Sequence, residues 1–428
     1  MLTRAAALLS RYDWLILLLL LPLVLFPTPG RAAAWLLLPL LLVARRKAGG
    51  PTGRFLPATA ANTILLLLAL MILISTWATP DLAFSVGKVI SLTHSLLLFF
   101  AVVTVARRGA AQRHAAVGLL LLGGLGVAGL SLLGAQWAQK LPLLGDLINR
   151  LPQRLIELPG SPAGGFSPNQ VAGVLLWIAP LALALSAPLL RRREDDLPRW
   201  LAWFALPTAI VLTGTLLLTQ SRAGYLGLAT GLALMGLLAL TGRWRRSALL
   251  GGGLLLLLAI PLLIWQGDAL LTTLSGPLGL SGGAGINSLE GRVEIWSRAI
   301  YGLEDFPLTG MGMNSFRRVI HILYPLFLIA PTVDIAHAHN QWLQAGLDLG
   351  LPGLIAYLAL WLVAIQLLWR QLLLSPARRT LATGILGALA AAFVYGLFDA
   401  VALGARPGFL FWALLGIAFS LESDETPR

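Results

Sequence analysis

The sequence contains no cysteine and few charged residues. Because none of its 428 residues is cysteine, disulfide bonds, thiolate metal ligands and a cysteine nucleophile are excluded. Only 11% of the residues are charged, whereas a soluble domain has about 25%. Hydrophobic residues make up 57% of the chain, and the mean hydropathy is +0.83. This composition excludes an ordinary soluble enzyme and indicates a membrane protein.

Long apolar segments recur along the whole chain. A helix needs about 20 mostly apolar residues to cross the hydrocarbon core of a bilayer, which is roughly 30 Å thick. We therefore predict one integral membrane domain over 1–428, an all-α polytopic fold with about twelve transmembrane helices. The predicted spans, of which the second is short, are 13–27, 33–44, 60–78, 83–105, 115–137, 169–189, 199–219, 223–241, 247–266, 349–369, 380–398 and 407–421.

Most basic residues lie in the connections on one side of the predicted spans. The formal net charge is +13, and most of the 31 lysines and arginines lie in short segments on one side, such as 45–54, 107–113 and 191–199. The positive-inside rule places such segments in the cytoplasm, so we expect both termini there. Nucleic-acid binding is not expected, because the charge is scattered and forms no continuous basic face.

Two segments on the opposite side are long enough to carry function. Residues 138–168 are partly amphipathic and predict an interfacial segment. Residues 267–348 form a larger loop between the ninth and tenth predicted spans, and they hold three of the five histidines. Long loops in compact proteins are usually functional, so we expect short helices and catalytic elements in this loop.

Two arginines lie where they need an anionic partner. Arg222 is in a connection between two spans that is too short to leave the membrane boundary, and no acidic residue is close in sequence. Arg292 falls on the apolar face of a predicted helix that ends at Asp305, so an ion pair or a ligand must compensate for its lost water. The alternatives are a snorkelling anchor for Arg222 and a distant carboxylate partner for Arg292.

A histidine pair precedes a polar stripe on an otherwise apolar helix. The stripe recurs at helical spacing, and His339 and Asn340 lie near its start: His337, Gln341, Gln344 and Asp348. Histidine is the natural group for acid–base work at neutral pH. Helix capping and a metal site are the alternatives. We expect no metal, because no third ligand lies at a recognisable spacing.

Several further polar residues lie in or beside the predicted spans. Lys88 and Asp399 are inside spans, where a charge is costly and usually functional, and Arg406 is a candidate partner for Asp399. Asn169 is expected to cap the sixth span, with ligand binding as a second role. Since no glycine-rich phosphate loop is visible, nucleotide-sugar chemistry is not expected.

The order of these motifs resembles the O-antigen ligase/polymerase superfamily of bacterial membrane glycosyltransferases. The resemblance covers about 165–370 and depends on five motifs: Ser221-Arg222, Gly291-Arg292 with Trp296, FPLTGMG at 306–312, HAHN at 337–340 with Gly346, and GLPG at 350–353.

The resemblance implies a transferase that moves a glycan from undecaprenyl pyrophosphate to an acceptor on the periplasmic face of the bacterial inner membrane. It implies no cofactor and no required metal. Arg222 and Arg292 would bind the pyrophosphate, since guanidinium groups bind phosphate bidentately. His339 would be catalytic, with His337 supporting it. The candidate substrate contacts are Asn169, Asn340, Gln341, Arg317, Arg318 and Lys88.

The expected acceptor is lipid A–core or another surface glycan. Within the superfamily the ligase activity is favoured over O-antigen polymerase and protein O-oligosaccharyltransferase. A lipid-linked glycan flippase is the alternative from another class, because it also needs many spans and buried charges.

Overall fold

The computed structural model describes residues 56–135, 165–189, 197–240 and 289–422, with separate positions at 137, 148–151, 155, 243, 247 and 250. These residues are mostly helical, with no β-strand among them and one isolated bridge between Ala135 and Phe166. The predicted spans 13–27 and 33–44 and nearly all of 247–266 lie outside the described residues. The same is true of most of 138–168 and of residues 267–288.

The described part contains twelve α-helices, which we number in chain order. They are α1 (Asn62–Ala78), α2 (Leu82–Ala106), α3 (Ala110–Gly134), α4 (Pro168–Leu175), α5 (Ala179–Ser186), α6 (Arg199–Leu218), α7 (Arg222–Ala239), α8 (Leu289–Asp305), α9 (Phe316–Leu323), α10 (Gln341–Leu374), α11 (Arg379–Phe398) and α12 (Phe409–Phe419).

Most of these helices are apolar enough to cross a membrane. Seven stretches of the described chain are long and apolar enough to do so: Leu82–Ala106, Ala110–Gly134, Pro168–Leu189, Arg199–Leu218, Arg222–Ala239, Gln341–Leu374 and Pro376–Phe398. α1 and the stretch Arg406–Phe419 are apolar but shorter. The described part of the chain is therefore all-helical in class, and the chain is a multi-pass membrane protein. All nine stretches fall on predicted spans, while the count of twelve stays a prediction.

Side-chain contacts show which helix ends lie together at each end of the bundle. At one end, Arg107 lies 3.0 Å from a carboxylate oxygen of Glu422, and Arg378 donates to the carbonyl of Leu421. At the other end, Ser75 donates to the carbonyl of Asp348 over 2.5 Å. We call these the basic end and the site end. The described arginines at the basic end are among those that the charge pattern assigns to the cytoplasm.

Small residues allow α7 and α11 to pack closely. A Cβ atom added to Gly227 would lie 2.6 Å from the carbonyl oxygen of Ala391, and one on Gly231 would lie 2.5 Å from that of Gly387. Such contacts let two backbones approach inside a membrane, where burial of apolar surface gives little drive for helix association. This packing holds the first turn of α7 beside the last turn of α11.

The chain bends sharply where α10 enters the bundle. Gly350 has a φ of +70°, which interrupts the helix before Pro352. The turn before α9 interlocks with this break, since Met311 donates to the carbonyl of Leu347 and Leu351 donates to that of Pro307. The predicted tenth span, 349–369, therefore begins at the break, and a short helical segment precedes it.

Gly350→Ala tests this interlock. We expect a loss of about 1–3 kcal/mol of stability, because a side chain is strained at positive φ and its Cβ would collide with the carbonyl of Leu308. Gly214→Ala in α6 is the control, since open space surrounds that position. Thermal unfolding of the purified variants measures both changes. An unaltered melting temperature for Gly350→Ala would contradict the interlock.

Candidate active site

A buried carboxylate lies at the centre of the site end. Asp399 directly follows the last residue of α11, and only 2% of the residue is exposed. Its Oδ1 atom is 3.2 Å from Nδ1 of His339, and its Oδ2 atom is 3.9 Å from Nη2 of Arg292. The two oxygens of Asp399 therefore face different partners, and its pairing with Arg406, which the sequence suggested, stays a prediction.

His339 is held in an unusual backbone conformation. Its φ is +47°, and its N–H donates to Nδ1 of His337 over 3.2 Å. Its carbonyl accepts a hydrogen bond from the indole of Trp296 at 3.3 Å. Non-glycine residues rarely adopt such backbone angles, and they persist where surrounding contacts determine them. Nδ1 of the imidazole faces Asp399, and Nε2 is the ring nitrogen that this carboxylate does not contact.

His337 is a neutral, buried neighbour of the Asp399–His339 pair. Its Nδ1 accepts the N–H of His339, so that nitrogen carries no proton, and its Nε2 lies 3.5 Å from the amide nitrogen of Gln170. Burial and the adjacent His339 lower the pKa of His337 to about 3. The geometry suits His337 to positioning His339.

The neighbours of Asp399 keep it ionised. Burial by itself would raise its pKa, but the hydrogen bond from His339 and the nearby His337 and Arg292 lower the pKa below its ordinary value. A carboxylate that is ionised and buried must be well paired, which its contacts provide. An ionised Asp399 keeps the shared proton on Nδ1 of His339.

Two arginines share this neighbourhood. Nη1 of Arg292 donates to the carbonyl of Phe398 over 2.6 Å, and its buried Nε has no hydrogen-bond partner among the described residues. Arg222 is the first residue of α7, after Ser221 accepts the N–H of Gly224 as the cap. Arg292 lies close enough to Arg222 for their two positive charges to repel each other. The sequence left open a distant carboxylate partner for Arg292. That carboxylate is Asp399, although the separation of 3.9 Å is longer than a hydrogen bond.

A polar frame fixes the HAHN turn. The side chain of Gln344 accepts the N–H of Ala338 over 2.8 Å and donates to Asp348 over 3.0 Å. Asp348 also accepts the N–H of Asn314. Asn340 caps α10 and donates to the carbonyl of Leu397 over 3.1 Å. The turn is thus tied to α10, to α11 and to the segment before α9.

Three other residues predicted to contact the substrate lie on helices around Asp399 and His339. Lys88 on α2 is electrostatically coupled to His337. Gln341 points into the bundle and donates to Tyr357 over 3.4 Å. Asn169 is the second residue of α4, and its carbonyl accepts from Tyr395. The expectation that Asn169 caps this helix is wrong, because Pro168 occupies the first helical position and Ser167 precedes it.

Arg317 and Arg318 lie on α9 and face carboxylates other than Asp399. Arg317 forms an ion pair with Asp334, and Arg318 lies 3.6 Å from Asp81. Among the described residues, these two guanidinium groups do not contact Asp399, and their role as substrate contacts stays a prediction.

The fold places three possible metal ligands together. One donor atom from each of His337, His339 and Asp399 lies within 4.8 Å of the others. Sequence spacing had supplied only the two histidines. The positive charges of Arg292 and Arg222 beside this group disfavour a cation, so the arrangement fits a proton-transfer dyad better than a metal centre.

A comparison with protein families identifies the segment that carries most of this site. Residues 207–358, a little over a third of the chain, match the family model described as O-antigen ligase. The segment belongs to the O-antigen ligase-like superfamily. This confirms the resemblance carried by the arginine and histidine motifs. A search of curated proteins finds no match.

Asp399 is the residue whose role the sequence did not reveal. It lies outside the matched segment and 60 residues after His339. The available signal was an acidic residue at the end of an apolar helix, a position where ionisable groups are usually functional. That signal does not name the partner, because only the packing of α10 and α11 brings the two residues together.

A titration tests the assigned state of His337. We expect this imidazole to stay neutral as the pH falls through 6.5, because burial lowers its pKa to about 3. Stability should then decline between about pH 6.5 and 3, since the unfolded chain takes up a proton that the folded chain does not. Nitrogen NMR of histidine-labelled protein, with His337→Gln for assignment, measures the state directly. Protonation near pH 6.5 would refute it.

Proposed function

We propose that this protein transfers a glycan from undecaprenyl pyrophosphate to a hydroxyl of lipid A–core or another surface glycan. The reaction takes place at the periplasmic face of the bacterial inner membrane, with both termini in the cytoplasm. The observation that carries the proposal is a carboxylate-oriented histidine, Asp399 with His339, beside Arg222 and Arg292 at one end of a membrane bundle. The superfamily supports a glycosyltransferase-like enzyme of the ligase or polymerase type.

His339 is the general base in this mechanism. With its proton held on Nδ1 by Asp399, the Nε2 lone pair accepts the proton of the acceptor hydroxyl. The acceptor oxygen forms a bond to the anomeric carbon as the bond from that carbon to the pyrophosphate oxygen breaks. Undecaprenyl pyrophosphate leaves with the electron pair. General base catalysis of this kind contributes roughly 10²–10⁴-fold in rate.

The arginines hold the donor and stabilise its leaving group. Guanidinium groups bind phosphate oxygens bidentately and stay charged at physiological pH. In a site partly shielded from water, they stabilise the negative charge that grows on the departing pyrophosphate. Arg222 and Arg292 repel one another, so a pyrophosphate bound between them would relieve that repulsion.

The depth of the site favours an enzyme over a transporter. Flippases and other secondary transporters carry their binding groups near the middle of the membrane, in broken helices. Here Arg222 begins α7, Asp399 follows the end of α11, and His339 precedes α10. All three lie at helix ends, where a lipid-linked pyrophosphate and a polar acceptor can meet.

Deletion of the gene in its native host tests the function. We expect loss of glycan-capped lipopolysaccharide on gels, with long glycan chains accumulating on the lipid carrier. Cores capped with one repeat, with no long chains on either molecule, would indicate a polymerase instead. An unchanged pattern would contradict both and favour another acceptor, such as protein, or transport.

Variants of the site test the mechanism. We expect His339→Ala to lower turnover by roughly 10²–10⁴-fold, because the general base is lost. Arg292→Lys should weaken donor binding, since lysine cannot make the bidentate contact. Arg379→Lys at the basic end is the matched control and should retain activity. Transfer by purified protein in vesicles measures each effect, and full activity in either site variant refutes its assigned role.

A chelator separates this mechanism from metal chemistry at the same three residues. We expect EDTA to leave turnover unchanged. Loss of turnover that a divalent cation restores would instead assign His337, His339 and Asp399 to a metal site.

A further inference from the structure

A cluster of large apolar side chains is exposed outside the membrane-spanning helices. It lies at the end of α9 and in the loop that follows, over residues 322–328, which we call the apolar tip. Ile322 and Phe327 are 75% and 85% exposed, and Leu323 and Leu328 are exposed as well. Contiguous exposed apolar surface usually marks a contact with another molecule or with a membrane.

The apolar tip is held in a defined conformation. Tyr324 and Leu326 alternate with the exposed residues and are buried in the small core formed by α8 and α9. The Glu294 carboxylate on α8 accepts the backbone N–H groups of Phe327 and Leu328 over 2.5 and 3.0 Å. Charge-assisted hydrogen bonds of this kind are stronger than neutral ones. The outward direction of Phe327 is therefore built into the fold.

Arg298 completes this support from the same helix. Its Nε donates to the carbonyl of Pro325 over 2.9 Å, and its guanidinium lies 5.5 Å from the centre of the Phe327 ring. Arg298 also pairs with Glu294 at 3.8 Å, as the i,i+4 spacing predicts. Two charged residues thus present an apolar ring to the outside.

The apolar tip lies close to the membrane boundary at the site end. Arg318 at the start of α9 is 3.6 Å from Asp81, and its guanidinium lies 4.1 Å from the centre of the Phe84 ring. Asp81 caps α2, a membrane-spanning stretch whose first residue, Leu82, is exposed. Because Ile322 follows Arg318 by four residues in α9 and a helix rises about 1.5 Å per residue, the tip begins about 6 Å along the helix from this contact.

We propose that the apolar tip inserts into the lipid leaflet at the site end, and that Arg317 and Arg318 contact lipid phosphate groups there. The occupant is bilayer lipid for two reasons. The apolar surface lies next to that of a membrane-spanning helix, and the two exposed arginines complement the charge of lipid phosphates. Interfacial segments combine apolar and basic residues in this way. The inference is independent of the proposed transfer reaction.

The absence of cysteine makes a direct test possible. Phe327→Cys introduces a single thiol for an environment-sensitive fluorophore, and the protein is placed in vesicles of phosphatidylethanolamine and phosphatidylglycerol. We expect strong quenching by lipids that carry a nitroxide on the acyl chain and weak quenching by aqueous iodide. Glu304→Cys, at an exposed position near the end of α8, is the matched control and should show the reverse.

The alternatives give different results. Strong iodide quenching without nitroxide quenching at position 327 would overturn the proposal. Protection from both quenchers, with crosslinking between two labelled chains, would assign the tip to a contact between copies and would also overturn it. In the labelled protein, Arg318→Gln should lower nitroxide quenching at least twofold, whereas Arg379→Gln at the basic end should leave it unchanged. Equal quenching in both would remove the arginine part of the proposal.

Discussion

The candidate site depends on one buried carboxylate that faces an imidazole and a guanidinium group. Oδ1 of Asp399 orients the imidazole of His339, and Oδ2 lies near the guanidinium of Arg292. Breaking a buried charge pair by removing one partner typically costs about 3–5 kcal/mol, because the other charge is left uncompensated. A single residue therefore contacts both the proposed general base and one of the arginines proposed to bind pyrophosphate.

The surrounding structure serves to place that carboxylate. The close approach of α7 and α11 at Gly227 and Gly231 brings the first turn of α7 to the end of α11. The last carbonyls of α11 would otherwise lack partners, as at any helix terminus. Asn340 and Arg292 donate to them, so the groups that complete the helix also line the site.

The segment 289–340 carries residues of the candidate site and also lies at the membrane boundary. It has its own small core, and that core delivers Arg292 from α8 and the HAHN turn to the same place. The interlock between Gly310 and Gly350 joins the segment to the start of the membrane-spanning part of α10. Its outer side carries the apolar tip. One compact unit therefore has a polar face toward the site and an exposed apolar tip, which we propose contacts lipid.

Local sequence patterns were enough to predict the helical membrane class, the spans that the structure describes, and the residue types of the candidate site. These follow from local properties: hydropathy over about 20 residues, the cost of charge near lipid, and motif order. Helix packing fixes which carboxylate contacts His339, and the start of α4 at Pro168 shows that Asn169 is not a cap. The contact of Glu294 with the backbone of residues 327 and 328 likewise fixes the outward direction of Phe327. Partners such as Asp399 and His339 are set by helix packing across 60 residues, which no local pattern encodes.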